Sequence, residues 1–278
     1  MLLGTVAALL VGLGECSAAH AIVDAPNAGR AVPASVAREL RVVTPSPEAS
    51  IAYEVEGAAE PRATVFVLHG IRDSRASMHG WAALLGAAGL RAVLVDLRGH
   101  GRSTGDALSY GVFDAHDLSR VLDDLDARGL RVGRVGVLGV SYGASTAIEW
   151  AGADPRVQRV VAVAPFASLA DVVPGYSPIP LPGPFVRAAI ALAGKMGGYD
   201  PALASPRDAV THTRAPVLLL HGTADDRIPP WHSRAIAAAA PDHSELVLVD
   251  GATHDTITDD PSGELRRRTT EWLAALAD

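Results

Sequence analysis

The feature that most restricts what this chain can fold into is a series of short, almost wholly apolar runs. They are Thr64–Leu68, Ala92–Val95, Val135–Leu138, Val160–Val163, Val217–Leu220 and Leu246–Val249. A strand with one wet face alternates polar and apolar residues, so a strand without polar positions is covered on both faces. The intervals between the runs carry helical spacing. Leu118, Val121, Leu122 and Leu125 recur every three or four residues within Asp114–Arg128, and Gly129 is placed to stop that helix. Trp81–Leu85 and Ser233–Ala240 read as further helices. Arg41–Val43 and Ser50–Val55 read as an opening antiparallel hairpin. The expected class is α/β: a mainly parallel, eight-stranded sheet with helices on both faces and right-handed crossovers.

A length of 278 residues suits one large domain, and a hydrophobic share of 49% supports a substantial core. The net charge of −7 gives no electrostatic footprint for nucleic acid. Arg266–Arg268, between Pro261 and Trp272, reads as the wet face of a terminal helix. Cys16 is the only cysteine, so no intrachain disulfide is expected. No H-E-x-x-H or cysteine cluster is present, and Gly99-His100-Gly101 lacks the third glycine of a dinucleotide fingerprint. Neither a metal nor a cofactor is expected.

The first residues differ from the rest. Leu2–Gly14 is uncharged and made of small and aliphatic residues, too short for a membrane span, which needs about 20 apolar residues. Ala19-His20-Ala21 has the form of an A-x-A cleavage site. Residues 1–21 are therefore expected to be a signal peptide and the protein to be exported, periplasmic or secreted. Leu13-Gly14-Glu15-Cys16 is similar to a lipoprotein box with Glu15 where a small residue belongs, so a lipid anchor on Cys16 or a cytoplasmic protein are the alternatives. Pro26, Asn27, Gly29 and Pro33 give residues 22–38 the composition of a linker, with little order expected before about residue 38.

Chemistry is concentrated after the strands. Gly139-Val140-Ser141-Tyr142-Gly143 lies between a strand-like run and a helix-like run, the context of a G-x-S-x-G nucleophile elbow, and nominates Ser141 as nucleophile. A serine hydroxyl is weakly nucleophilic near neutral pH, so a base must take its proton and an acid must orient that base. The loop His221–Pro229 offers Asp225 as the acid, with Asp226 as competitor. The loop after the last strand offers His254 as the base. His69 and His221 end strands and read as structural polar groups. Between about residues 166 and 206 the alternation breaks: five prolines fall within Pro174–Pro184, followed by apolar Phe185–Ala193. Prolines at this density exclude a regular helix or strand interior, and an insertion at the carboxyl end of a central strand reads as a small cap over a ligand site.

His69-Gly70, Asp96–Ser103, Gly139–Gly143, Gly222–Pro229 and Gly251–His254 occur in one order, and from Glu39 onward the chain resembles an α/β-hydrolase-fold serine hydrolase of the esterase or lipase kind. The resemblance implies that Ser141, Asp225 and His254 form a catalytic triad, and that the backbone N–H groups of Ile71 and Tyr142 form the oxyanion hole. It implies a structural role for Asp96–Ser103. The substrate expected is a small-molecule carboxylic ester with an apolar acyl or aromatic group, with no nucleic acid and no stable membrane span. Peptidase, amidase, thioesterase and acyltransferase chemistry use the same triad, and a non-catalytic binding protein on this scaffold is the alternative of another class.

Overall fold

The computed structural model describes residues 2–31, 34, 36–45, 47–177 and 179–278, with the side chains of residues 2–11 and 13 left outside the description. Pro33 and Ser35 of the expected linker and Pro178 of the expected cap therefore lie outside the described residues.

In chain order the elements are α1 (Leu2–Val23), β1 (Leu40–Pro45), β2 (Glu48–Gly57), β3 (Thr64–Leu68), α2 (His79–Ala87), β4 (Arg91–Val95), α3 (Asp114–Ala127), β5 (Val135–Val140) and α4 (Tyr142–Ala153). They continue with β6 (Val157–Val163), α5 (Leu169–Val172), α6 (Gly183–Gly197), α7 (Pro206–Ala209), β7 (Val217–Gly222), α8 (Trp231–Ala239), β8 (Ser244–Val249) and α9 (Glu264–Ala274). One eight-stranded sheet runs in the order β1-β2-β4-β3-β5-β6-β7-β8. β1 pairs antiparallel with β2 and β2 with β4, and every other pairing is parallel. Five of the six apolar runs are thus inner strands, whereas Leu246–Val249 lies in β8, a half-buried edge strand, and the opening hairpin is the antiparallel edge.

The all-buried pattern of β3 has a direct cause. Side chains alternate across a strand, so Phe66 and Leu68 enter the core cluster on one face while Val65 and Val67 enter the cluster on the other. The first face carries α3, α4 and α6, with the Phe66 and Trp150 rings 4.6 Å apart; the second carries α2 and α9. Burying each such side chain stabilises the fold by roughly 1.5–3 kcal/mol. In α3, Leu118, Val121, Leu122 and Leu125 are buried, Asp114 and Asp117 occupy the positive first turn, and Gly129 ends the helix at φ 67°.

The amino-terminal segment departs from expectation. Ala19, Ile22, Val23 and Ala25 are buried, and α1 packs along α6. Residues 22–27 are not a free linker: the Ala25 N–H donates to the Asp106 carbonyl, and the Asn27 side chain donates to the carbonyls of Gly101 (2.7 Å) and Ser103 (3.1 Å). Proline and glycine imposed turns here, as their composition implies, but the turns are docked on the body. No helix among the described residues is long and apolar enough to cross a membrane.

In the proline-rich stretch, α5 and a tight turn over Val173–Tyr176 give way to irregular chain, until Pro184 opens α6 in its first turn. Gly198 at φ 73° closes α6. This segment lies over the carboxyl ends of the central strands and contributes Val172, Leu181 and Val186 to the wall of a cavity that reaches Ser141.

Candidate active site

β5 delivers the chain into Ser141 and α4 begins at the next residue. Ser141 sits at φ 53°, ψ −114°, a strained conformation for a residue with a side chain, and is held there by its N–H bond to the Val163 carbonyl (2.8 Å). The turn closes only because its flanks lack side chains. A Cβ on Gly139 would stand 2.1 Å from the Gly143 carbonyl oxygen, and one on Gly143 would stand 2.5 Å from that of His69. Both partners are backbone, which cannot move aside.

The structure brings the three proposed residues into one hydrogen-bonded line. His254 Nε2 lies 3.0 Å from Ser141 Oγ, and His254 Nδ1 lies 2.7 Å from Asp225 Oδ2. Asp225 stands in the loop after β7 and His254 in the loop after β8. The other carboxylate oxygen of Asp225 accepts from the backbone N–H groups of Ile228 (2.8 Å) and Arg227 (3.1 Å). Burial alone would push the Asp225 carboxyl up, but bonds from His221, His254 and Ile228 outweigh it and hold the group well below the usual carboxylate range. Asp225 is therefore an anion facing the imidazole. Asp226 is exposed and outside this line.

The loop at Gly70 completes the surroundings of Ser141. A Cβ built on Gly70 would lie 3.7 Å from Ser141 Cβ, so this turn abuts the serine. Among the described residues the Ile71 N–H donates to no backbone carbonyl, and the Tyr142 N–H belongs to the first turn of α4, where helix N–H groups lack intrahelical partners. His69 braces the turn: Nδ1 donates to the Gly70 carbonyl (2.7 Å), and Nε2 accepts from the Leu97 N–H (3.1 Å). Burial, reinforced by the neighbouring His100, lowers its pKa to about 4, which keeps it neutral. His221 bonds the Ile228 carbonyl (2.6 Å) and Ser233 Oγ (2.7 Å), bracing the Asp225 loop. Asp96–Ser103 is structural as well, its Asp96 accepting from the N–H groups of Arg75 (2.7 Å) and Arg102 (2.9 Å).

Ser141, Ile71 and Tyr142 border a cavity of about 470 Å³. Its wall is apolar: Tyr110 and Phe166 from the loops, Val172, Leu181, Phe185 and Val186 from the cap segment, and Ala18, Ala21 and Ile22 from α1. Among the described residues Arg72 is the one formally charged side chain in the lining, and none of them contributes a carboxylate to it. The sequence signals place the cap segment, about residues 166–206, over the site, but they single out neither Tyr110 nor the residues of α1. The spacing of Ala19, Ile22 and Val23 marks the buried stripe of α1, but a helical stripe does not say what it packs against.

One group of potential metal ligands occurs among the described residues, Glu54, Glu56 and His79, with donor atoms within 4.8 Å of one another. Glu54 already accepts from Arg75 at 2.9 Å, and none of the three lines the cavity at Ser141.

Comparison with known proteins agrees with this architecture. The family described as serine aminopeptidase, S33, matches residues 59–197, half of the chain, and the family described as TAP-like protein matches residues 198–275. The uncharacterized protein YqkD of Bacillus subtilis is 28% identical over 178 residues, covering 60% of this chain and 56% of that protein. The uncharacterized protein Rv2307c of Mycobacterium tuberculosis is 27% identical over 192 residues, 69% of this chain and 62% of that protein. The match thus spans less than two thirds of either relative. The Pyrococcus furiosus esterase Pf2001 superposes with a TM-score of 0.71 at 21% identity, over 91% of this chain and 100% of that one. A monoacylglycerol lipase of Paleococcus ferrophilus superposes with a TM-score of 0.60 at 22% identity, over 81% and 99%. With half its length matched by the first family and its mainly parallel sheet shared with the superposed structures, the chain belongs to the α/β-hydrolase-fold hydrolases of the serine aminopeptidase, S33 family.

Proposed function

We propose that the protein hydrolyses carboxylic esters through an acyl intermediate on Ser141. The observation that carries this reading is the Ser141–His254–Asp225 line opening on an apolar cavity whose wall, among the described residues, holds no carboxylate. His254 Nε2 takes the proton of Ser141 Oγ as the oxygen attacks the ester carbonyl, then gives it to the leaving alcohol. It next takes a proton from water, whose oxygen attacks the acyl-serine, and returns that proton to Ser141. Asp225, fixed as an anion, holds the Nδ1–H tautomer and stabilises the imidazolium in both halves. The backbone N–H groups of Ile71 and Tyr142 are assigned to the oxyanion, where each such donor contributes about 3–4 kcal/mol to the transition state.

The apolar wall also separates this reading from an aminopeptidase, which has to hold a substrate ammonium. A desolvated ammonium needs a carboxylate or several carbonyl oxygens, and Arg72 in the lining repels it. Fluorophosphonate labelling of the folded protein tests the nucleophile: Ser141 is labelled, and Ser141→Ala or His254→Ala suppresses the labelling. Comparing p-nitrophenyl esters with the matching anilides and thioesters tests the class. Equal kcat/KM on ester and anilide would sink the esterase assignment, and no labelling at all would favour a non-catalytic scaffold.

A further inference from the structure

We propose that α1 is a permanent wall of the acyl pocket, kept in the working protein, and that it sets the length of acyl chain accepted. This rests on the ester-hydrolase reading above and extends it to a substrate class, esters of medium-length fatty acyl groups.

The attachment of α1 is the first ground. Its last turn presents carbonyls that a helix end leaves without partners, and the body of the protein supplies the donors. The buried Tyr110 hydroxyl donates to the Ile22 carbonyl at 2.7 Å, and the Leu108 N–H donates to that of Val23 at 2.7 Å. Asp24 then pairs with Ala107 as an antiparallel bridge. Tyr110 reaches the elbow as well: its N–H donates to the Tyr142 hydroxyl at 3.0 Å. The end of α1 is thus two hydrogen bonds from the residue that follows Ser141.

The second ground is the cavity. Ala18, Ala21 and Ile22 line the same space as Ser141, and α1 comes close to the opposite helix: a Cβ on Gly14 would lie 3.4 Å from the Phe185 ring. Cleavage after Ala21 would remove part of this wall. It would also put a charged terminal ammonium on Ile22, which is 7% exposed, and uncover the apolar side of α6. Export directed by the apolar stretch is compatible with the packing, whereas its removal is not. Small side chains at Ala18 and Ala21 leave the volume that a flexible acyl chain fills, and about 470 Å³ is in the lower half of the roughly 300–1,000 Å³ range of small-molecule pockets. Each methylene buried there raises kcat/KM about fourfold until the cavity is full.

The experiment uses the full chain and its Ala21→Phe and Ala18→Phe variants, with p-nitrophenyl acetate, octanoate and palmitate. The wild type prefers octanoate. Ala21→Phe, at the exposed mouth where a large side chain is tolerated, lowers the octanoate-to-acetate ratio of kcat/KM about tenfold or more, the loss of roughly two buried methylenes. Ala18→Phe lowers it further or shifts the optimum to a shorter chain. Intact-mass measurement of the protein recovered from its own cells finds α1 attached. An active enzyme whose chain-length profile is unchanged in both variants, or a mature chain that begins beyond Ala21, overturns the inference alone. A wild-type protein that neither labels with fluorophosphonate nor hydrolyses any ester overturns the hydrolase reading, and the inference with it.

Discussion

The two sides of the cavity are built on different physical terms. On one side, Ser141, His254 and Asp225 are held by directional bonds of 2.7–3.0 Å and by a turn that admits only glycine at its flanks. On the other, the cap segment and α1 present apolar side chains whose main requirement is to fill space. A group that transfers a proton tolerates little misplacement. A wall that excludes water tolerates exchange among side chains of similar volume. Few sequences meet the first demand and many meet the second, so one side identifies the reaction class and the other adapts to the substrate.

The contrast breaks most severely at Asp225. Asp225→Asn keeps the shape but presents an amide N–H or a neutral oxygen to His254, so the imidazolium loses its counter-charge and its tautomer is no longer fixed. The expected fall in kcat is about 10³–10⁴-fold with little change in KM. Asp226→Asn, on an exposed side chain, leaves kcat within about twofold. Steady-state kinetics on one activated ester decide between them, and equal losses would remove Asp225 from the role.

The same contrast explains what could be read from the residues alone. The central strands, the elbow at Gly139–Gly143 and the loops carrying Asp225 and His254 were legible because each leaves a mark: an unbroken apolar run, a glycine where a Cβ has no room, a polar residue just past a strand. Asp225 was separable from Asp226 only in three dimensions, since both follow the same turn. The wall was legible only in part: the prolines of 174–184 and the apolar run from Phe185 marked the cap segment, whereas Tyr110 and the residues of α1 carry no pattern that distinguishes pocket lining from core. The packing of α1 was missed because small apolar residues at helical spacing suit a discarded leader and a docked helix equally well. The bonds from Tyr110 and Leu108 carry the proposal that the helix is kept.

Gly143→Ala tests the glycine requirement. Its Cβ would meet the His69 and Leu68 carbonyl oxygens at 2.5 and 2.6 Å, so β3 or α4 has to shift. The expected cost is about 3 kcal/mol of stability with a parallel fall in kcat as Ser141 leaves its line with His254. Val173→Ala, in the cap side of the lining, is expected to cost under about 1 kcal/mol and to act on KM. Urea denaturation midpoints and kcat for the pair measure the difference, and a stable, active Gly143→Ala protein would refute the account of the elbow.

Glu149 sharpens the comparison, because it lies on α4 behind the elbow but lacks the partners that Asp225 has. Burial is the main cause of a rise in its pKa to about 8; a bond from the Ser205 N–H opposes the rise and the charge of Asp208 adds to it. One of its oxygens is buried without a partner among the described residues. Between the unfolded value of 4.5 and about 8 the folded state binds more protons than the unfolded state. This contribution to stability is therefore full at low pH and is lost as pH rises through about 8. Glu149→Gln removes the slope: relative to the wild type it gains on the order of 2 kcal/mol between about pH 5 and pH 9, discounted for partial exposure. Thermal or urea unfolding of both proteins across that range is the measurement, and parallel curves would show that Glu149 stays ionised in the fold.

Tyr142 belongs to both sides at once, and its two groups separate the directional contribution from the packing one. Its backbone N–H is assigned to the oxyanion, while its hydroxyl, buried beneath the cavity, donates to Asp114 (3.1 Å) and accepts from the Tyr110 N–H (3.0 Å). Tyr142→Phe keeps the backbone donor and the ring but strands the Tyr110 N–H, at a cost of about 1 kcal/mol. Stability is expected to fall by that amount while kcat stays within about twofold, since nothing that faces the reacting carbonyl has changed. A loss of kcat of about tenfold or more, with the acyl-chain profile intact, would instead mean that the hydroxyl positions the turn carrying the oxyanion donor, and the directional side of the cavity would then extend through Tyr142 to Tyr110 and the end of α1.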